Sequence, residues 1–288
     1  MHDVVVCIHN GHKDVEDCLL SLTKNWNPDL LQRLILVDDQ SDKKMEKMLS
    51  SYRERFPYIT VIRTEEQSFY TKAANLGLKS STAKYRTLLN SDTIVTDGWE
   101  ERIQAVFATS EYVGVVGPLS NAASTQSVPF VKSTKDQTAI NSLPEGVSVE
   151  EFGSFVREVG ASVPIPFVPL VHGFCLTVRD SLLAEIGYFD ELSFPRGYGE
   201  ENDFCFRAED AGFLLAVAVD VFIFHAKSKS YTSSDRTNFM HAGMKAFAAK
   251  HGSERIKRSI RYMEAQPHLQ FMRDAVANKW PDHYQVSA

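Results

Sequence analysis

The chain has 288 residues, 43% of them hydrophobic and 24% charged, with a net charge of −6. This is an ordinary composition for a folded globular protein, and the acidic balance excludes a general nucleic-acid binder, which would carry a basic face. Cys7, Cys18, Cys175 and Cys205 are far apart and form no C-x-x-C pair, so neither a disulfide framework nor a zinc site is expected, and a reducing cytosol is.

Met1-His2-Asp3 leads straight into Val4-Val5-Val6-Cys7-Ile8, without the basic segment and long apolar run of a secretory signal. A continuous apolar run predicts a strand covered on both faces. It ends in a polar turn, His9-Asn10-Gly11-His12-Lys13, and a helix follows with Asp14 as its expected cap. Leu34–Val37 is the second strand, closed by Asp38-Asp39-Gln40-Ser41-Asp42, and Asp42 is placed to cap the helix carrying Met45, Met48, Leu49, Tyr52 and Phe56. Ile59–Ile62 is a third strand, and Thr71–Lys79 reads as a helix with small residues Ala73 and Ala74 for close packing. The fourth strand, around Leu88-Leu89, stops at Asn90-Ser91-Asp92 before a second apolar pair, Ile94-Val95.

Strands alternating with helices imply right-handed crossovers and a mostly parallel sheet. Open α/β sheets bind ligands at the carboxyl ends of their strands. The clusters at 9–10, 38–39 and 90–92 therefore fall on one sheet edge. One such aspartate is most simply a helix cap; three at equivalent strand ends predict a site.

Trp99–Ala108 is the next helix, and Val113–Gly117 another buried strand. From Pro118 to Pro166 the pattern weakens, with a helix suggested only at Val149–Val159; such a stretch is either a binding loop or a surface excursion. Pattern returns at Val168–Val178, around His172-Gly173-Phe174, and a short helix follows at Ser181–Ile186. Gly197-Tyr198-Gly199-Glu200-Glu201-Asn202-Asp203 reads as a loop entering a helix. Acids in a first turn suit the helix dipole, so a structural role competes with a chemical one there. The apolar segments Leu214–Val219 and Val221–Phe224 end at His225, which is either structural or, with Lys227 and Lys229 behind it, faces an anion. From Ser234 the chain is helical, with Phe239, Met240, Met244 and Phe247 on one face, and residues 262–288 are expected to pack on the outside. No window of about 18 or more apolar residues predicts a membrane span, which leaves peripheral association open.

The ordered set Val37-Asp38-Asp39-Gln40-Ser41, Asn75-x-Gly77, Leu88-Leu89-Asn90-Ser91-Asp92-Thr93, Gly199-Glu200-Glu201-Asn202-Asp203 and Phe224-His225-x-x-Ser228 resembles family 2 glycosyltransferases of the GT-A fold. The likeness is to bacterial enzymes of surface-polysaccharide synthesis such as O-antigen or capsule, including rhamnosyltransferase-like members, and covers roughly residues 3 to 250. It implies an α/β GT-A, Rossmann-like fold with a mostly parallel sheet flanked by helices and a helical C-terminal extension. The implied division is a transferase domain over 1–232, nucleotide-binding to 117 and acceptor-binding from 118, with the extension at 233–288.

The resemblance further implies an inverting transfer of a sugar from a UDP- or dTDP-sugar to a hydroxyl of a glycan or lipid-linked glycan. Asp39 would contact the base, with Asp38, His9, Asn10, Asn75, Asn90 and Ser91 around the nucleotide. Asp92 and His225 would hold Mn²⁺ or Mg²⁺. Asn90 stands where the fold's metal motif usually has its first acid. Glu201 is the implied catalytic base, one methylene longer than the usual Asp, with Glu200 in reserve. Tyr198, Gly199, Asp203, His172 and Gly173 would border the sugar or acceptor, with Tyr198 a better stacking partner than Trp99 or Phe174. A cytoplasmic enzyme is implied, peripheral on the inner face of the plasma membrane or part of a larger polysaccharide-synthesis assembly. Two alternatives stand beside it. A nucleotidyltransferase would need a Gly-rich basic loop that His9-Asn10-Gly11-His12 does not supply, and a non-catalytic binding module is kept open by Asn90 and Glu201.

Overall fold

In the computed structural model, which describes residues 1–133, 137–227 and 233–284, the first half of the chain alternates strand and helix as the sequence predicts. The elements are β1 (His2–Ile8), α1 (His12–Lys24), β2 (Leu31–Asp38), α2 (Lys43–Arg55), β3 (Ile59–Arg63), α3 (Phe69–Lys79), β4 (Tyr85–Asn90), β5 (Thr93–Val95), α4 (Trp99–Ala108) and β6 (Val113–Leu119). A short 3₁₀ turn, Ser124–Gln126, precedes α5 (Val149–Gly160), β7 (Cys175–Arg179), α6 (Asp180–Ile186), α7 (Glu200–Asp210) and β8 (Leu214–His225). Three helices close the chain: α8 (Ser233–His251), α9 (Ser253–Ala265) and α10 (Pro267–Lys279).

The sheet order is β3-β2-β1-β4-β7-β6-β8-β5. Strands β3, β2, β1 and β4 are mutually parallel, as are β6 and β8. β7 runs antiparallel to both its neighbours, and β5 antiparallel to β8, so the second half is mixed. Alternation along the strands sends Val5, Ile35, Val37 and Leu88 to one face, under Ala73, Ala74 and Leu78 of α3. Val4, Val6, Leu34 and Leu36 go to the other, under α1, α2 and α4.

Asp42 caps α2 as expected, accepting from the Lys44 and Met45 N–H groups. The expected cap of α1 is corrected: the helix begins after Gly11, in the left-handed conformation at φ 75°, and Asp14 lies in its first turn. β8 does not break at Asp220 but continues through a register shift against β6. The expectation for residues 262–288 is also corrected. Met263, Leu269, Met272 and Val276 are fully buried in the core, and Trp280 stacks on Phe152 with ring centroids 4.9 Å apart. Arg273, also buried, donates to the Thr125 carbonyl at 2.6 Å, tying α10 to the stretch after β6. The expected domain boundary at 232 and Lys229 lie outside the described residues. No described helix is long and apolar enough to cross a membrane.

Candidate active site

Parallel registry fixes where the polar clusters fall. Ile8 sits beside Asp38, and Cys7 sits beside both Val37 and Asn90, so β1, β2 and β4 end together. The three clusters share one edge, as the sequence predicts. Below them is a cavity of about 520 Å³, within the range of small-ligand sites. His9, Asp39, Asn90, Ser91 and Asp92 line it from the sheet edge. His172, Gly173, Tyr198, Glu200, Glu201 and His225 line it from the second half of the chain.

At one pole His225 Nε2 lies 3.2 Å from Asp92 Oδ1. His225 is 4% exposed, and Phe174 stacks flat on its ring at 5.5 Å between centroids. Its other ring nitrogen, Nδ1, lies 3.0 Å from the Ala122 carbonyl, which can only accept. That bond places a proton on Nδ1, and Nε2 faces both the Asp92 carboxylate and the Asn90 side-chain amide, the latter 3.5 Å away. A carboxylate oxygen 3.2 Å from an imidazole nitrogen favours a cation between them, a proton or a metal. Two ligands at right angles, each about 2.1 Å from a hard divalent ion, are about 3 Å apart, so the pair fits one edge of an octahedron. Among the described residues no group of three or more His, Cys, Asp or Glu surrounds a common point. Asp92 and His225 would therefore hold a cation jointly with oxygens of a bound ligand.

His225 is positioned by a residue the sequence did not flag. β6 stops pairing with β8 at Leu119, and the Asn121 side chain replaces the missing strand. Its Oδ1 accepts from the His225 N–H at 2.7 Å, and its Nδ2 donates to the His225 and Asn141 carbonyls, both at 3.2 Å. Asn141 returns a bond to the Asn121 carbonyl at 2.8 Å. The weakly patterned stretch after Pro118 thus buttresses the cation pole. A lone Asn between serines and alanines carries no signal that would have found it.

Glu200 and Glu201 open α7 and line the same cavity. Tyr198, at φ 65°, and Gly199, at φ 121°, turn the chain into the helix. A Cβ on Gly173 would lie 3.3 Å from Glu201 Cγ, so its glycine leaves room for that side chain. Glu200 is 4% exposed and its Oε2 has no hydrogen-bond partner among the described residues. Burial and the charge of Glu201 push the Glu200 carboxyl well above the usual range. Burial also raises Glu201, opposed by nearby N–H groups and by Lys227. Glu201 Oε2 accepts from the Gly199 N–H at 3.3 Å. The two carboxyls thus titrate as a pair, and the proton affinity is raised more strongly at Glu200 than at Glu201.

The nucleotide side is built by fewer residues than expected. The Asp39 carboxylate accepts from Ser68 N–H (2.6 Å), Ser68 Oγ (2.8 Å), Phe69 N–H (2.9 Å) and Thr64 Oγ1 (3.0 Å), while still lining the cavity. His9 donates from Nδ1 to the Asp39 carbonyl at 2.7 Å. Five expected site residues are corrected, because they do not line the cavity: Gly199, which turns the chain into α7, and Asp38, Asn10, Asn75 and Asp203. Asp38 is buried, pairs with Arg63 and accepts from the Ser41 N–H at 2.9 Å. Asn10 braces one turn on the next through Ser41 Oγ and the Asp42 N–H, both at 2.9 Å. Asn75 ties α3 to the Phe189 backbone and to Glu191. Asp203, fully buried, accepts from Arg207 (2.8 Å), Lys250 (2.7 Å) and His251 (2.8 Å), clamping α7 to α8. Trp99 is fully buried in the core. His172 bonds Thr125 Oγ1 at 3.0 Å, and burial and Lys227 lower its ring to about 4, so it is neutral at pH 7. Tyr70, also on the wall, is a further lining residue that the sequence did not single out.

Residues 3–138 match the profile of the family described as Glycosyl transferase family 2. The matched residues make up just under half of the chain. A probable N-acetylgalactosaminyltransferase 7 of Caenorhabditis elegans is 31% identical over 222 residues, 73% of this chain. The chain spans 36% of that relative's length and 20% of a second, a putative polypeptide N-acetylgalactosaminyltransferase 9 of Drosophila melanogaster. Two solved structures share its GT-A architecture. GalNAc-T7 with UDP, GalNAc and Mn²⁺ superposes over 97% of this chain and 56% of its own, at TM-score 0.62 and 14% identity. The mannosyltransferase PcManGT of Pyrobaculum calidifontis, with GDP-Man and Mn²⁺, superposes over 99% and 76%, at TM-score 0.61 and 15% identity.

Proposed function

We propose that the chain is an inverting glycosyltransferase that moves a sugar from a nucleotide-diphosphate donor, a UDP- or dTDP-sugar, to a hydroxyl of a glycan or lipid-linked glycan. The observation that carries this reading is the presence in one cavity of a cation pole, Asp92 and His225, and an acid pole, Glu200 and Glu201. A divalent ion held at Asp92 and His225, Mn²⁺ or Mg²⁺, would stabilise the negative charge of the departing diphosphate. The neighbours crystallised with Mn²⁺ and a nucleotide or nucleotide sugar support that choice of ligand.

The nucleoside lies in this reading along the β1–β2 edge, with its base at Asp39 and His9. Glu201 takes the proton from the acceptor hydroxyl as that oxygen bonds to the anomeric carbon. The bond from that carbon to the diphosphate oxygen breaks, and the electron pair leaves with the nucleoside diphosphate. One displacement inverts the anomeric centre. Glu200, protonated, donates a hydrogen bond to the sugar or acceptor. General-base help of this kind is worth about 10²–10⁴-fold in rate. Cell-surface polysaccharide synthesis at the cytoplasmic membrane face is the proposed setting. The test is a panel of nucleotide sugars assayed for hydrolysis and transfer with and without Mn²⁺. Turnover of one UDP- or dTDP-sugar that needs Mn²⁺ and is lost in Glu201→Gln supports the reading. Nucleotide binding with no turnover of any donor, with or without a polysaccharide acceptor, would leave only a binding module.

A further inference from the structure

Arg196 stands on the loop that delivers Glu200 and Glu201, and it lines the cavity. Its guanidinium lies over the Phe69 ring, 4.0 Å from the centroid, and 5.1 Å from the Phe239 centroid of α8. Both contacts are with aromatic rings rather than with hydrogen-bond acceptors, and they leave the N–H donors along the guanidinium edges. Among the described residues no carboxylate pairs with it, although Asp39, Glu200 and Glu201 line the same cavity. The clamp is itself built by the site. Phe69 sits at φ 61°, a costly conformation for an aromatic residue, and Asp39 holds it there through the Phe69 N–H at 2.9 Å. On the other side α8 is pressed against the loop, for a Cβ on Gly243 would lie 1.7 Å from the Tyr198 carbonyl oxygen.

A held guanidinium with free edge donors is matched by a planar or tetrahedral oxyanion, which accepts two parallel N–H bonds. A neutral sugar hydroxyl fills at most one of them. The diphosphate in the reading above belongs at Asp92 and His225, while Arg196 belongs to the loop of the base. Resting on that reading, we propose that Arg196 is a specificity residue for the acceptor, and that the acceptor carries an anionic oxyacid group, a carboxylate or a phosphate, beside the hydroxyl that is glycosylated.

The experiment titrates methyl glucoside, methyl glucuronide and glucose 1-phosphate into the protein saturated with UDP and Mn²⁺, and repeats all three on Arg196→Ala and Arg196→Lys. The wild type is expected to bind one or both anionic sugars at least about tenfold more tightly than the neutral one, the increment of one charge-assisted pair. Binding of the glucuronide alone assigns a carboxylate, and of the phosphate alone a phosphoryl group. Arg196→Ala abolishes the preference, and Arg196→Lys, lacking the two-pronged edge, keeps part of it. Equal binding of all three sugars, no binding of either anion, or a preference surviving in Arg196→Ala would overturn the proposal. So would a loss of UDP affinity in Arg196→Ala, which would make the residue a donor contact. Failure of UDP to bind the wild type at all would instead count against the transferase reading, and the sugar titrations without nucleotide would still judge Arg196.

Discussion

Replacing Asn121 with alanine tests whether the stretch after β6 is part of the active site. The substitution strands three backbone groups: the N–H and carbonyl of His225 and the carbonyl of Asn141. Asn121 is 2% exposed and His225 4%, so water does not readily replace the lost amide. A stranded buried polar group costs about 1–3 kcal/mol, and with some relaxation the total is about 3–5 kcal/mol. For a chain of this size that lowers the melting temperature by roughly 5–8 °C. The same substitution frees the backbone that aims the His225 ring, and loss of such support weakens metal affinity by about 10–100-fold. Differential scanning calorimetry reads the first effect. UDP titration at graded Mn²⁺, well below the melting temperature, reads the second. Asn278→Ala, on the exposed face of α10, is the control. An unchanged melting temperature would refute the strand-substitute role of Asn121. Lost stability with intact Mn²⁺ response would refute its link to His225.

Other expectations follow from the acid pole and its supports. Glu201→Gln should lower turnover by about 10²–10⁴-fold with UDP affinity kept, and Glu200→Gln should cost less, both measured as nucleotide release. Burial holds Glu201 above 4.5, so its carboxylate is lost as pH falls through that raised value and activity climbs as pH rises through it. An initial-rate profile whose acid limb lies at or below 4.5 would contradict this. Gly243→Ala places a Cβ 1.7 Å from the Tyr198 carbonyl oxygen, so α8 or the loop before α7 must move. It should depress turnover more than nucleotide affinity, and equal loss of both would show a global defect instead.

The sheet edge was legible because parallel strands buried on both faces read as unbroken apolar runs, and the polar residues that interrupt them mark the strand ends. The convergence of the three clusters on one edge follows from that pattern. The pairing of Asp92 with His225 did not, since 133 positions separate them and only the ordered motifs linked the two. Letters give a residue's type and not its direction. Asp38, Asn75 and Asp203 have the chemistry of a ligand site, but Arg63, the Phe189 backbone and the Lys250–His251 pair consume it. Asn121 was illegible for the converse reason: it works by imitating backbone, which any patternless segment can do once folded. The burial of α10 was missed because Leu269, Met272 and Val276 are interleaved with the buried cation Arg273, which blurs the apolar stripe.

The most direct measurement is UDP affinity by calorimetry with and without Mn²⁺, in the wild type and in His225→Ala. The account predicts that Mn²⁺ tightens UDP binding at least about tenfold in the wild type, the worth of one good ligand bond, and does nothing in the variant. Identical UDP affinity with and without the ion in the wild type, or an undiminished response in His225→Ala, would contradict it.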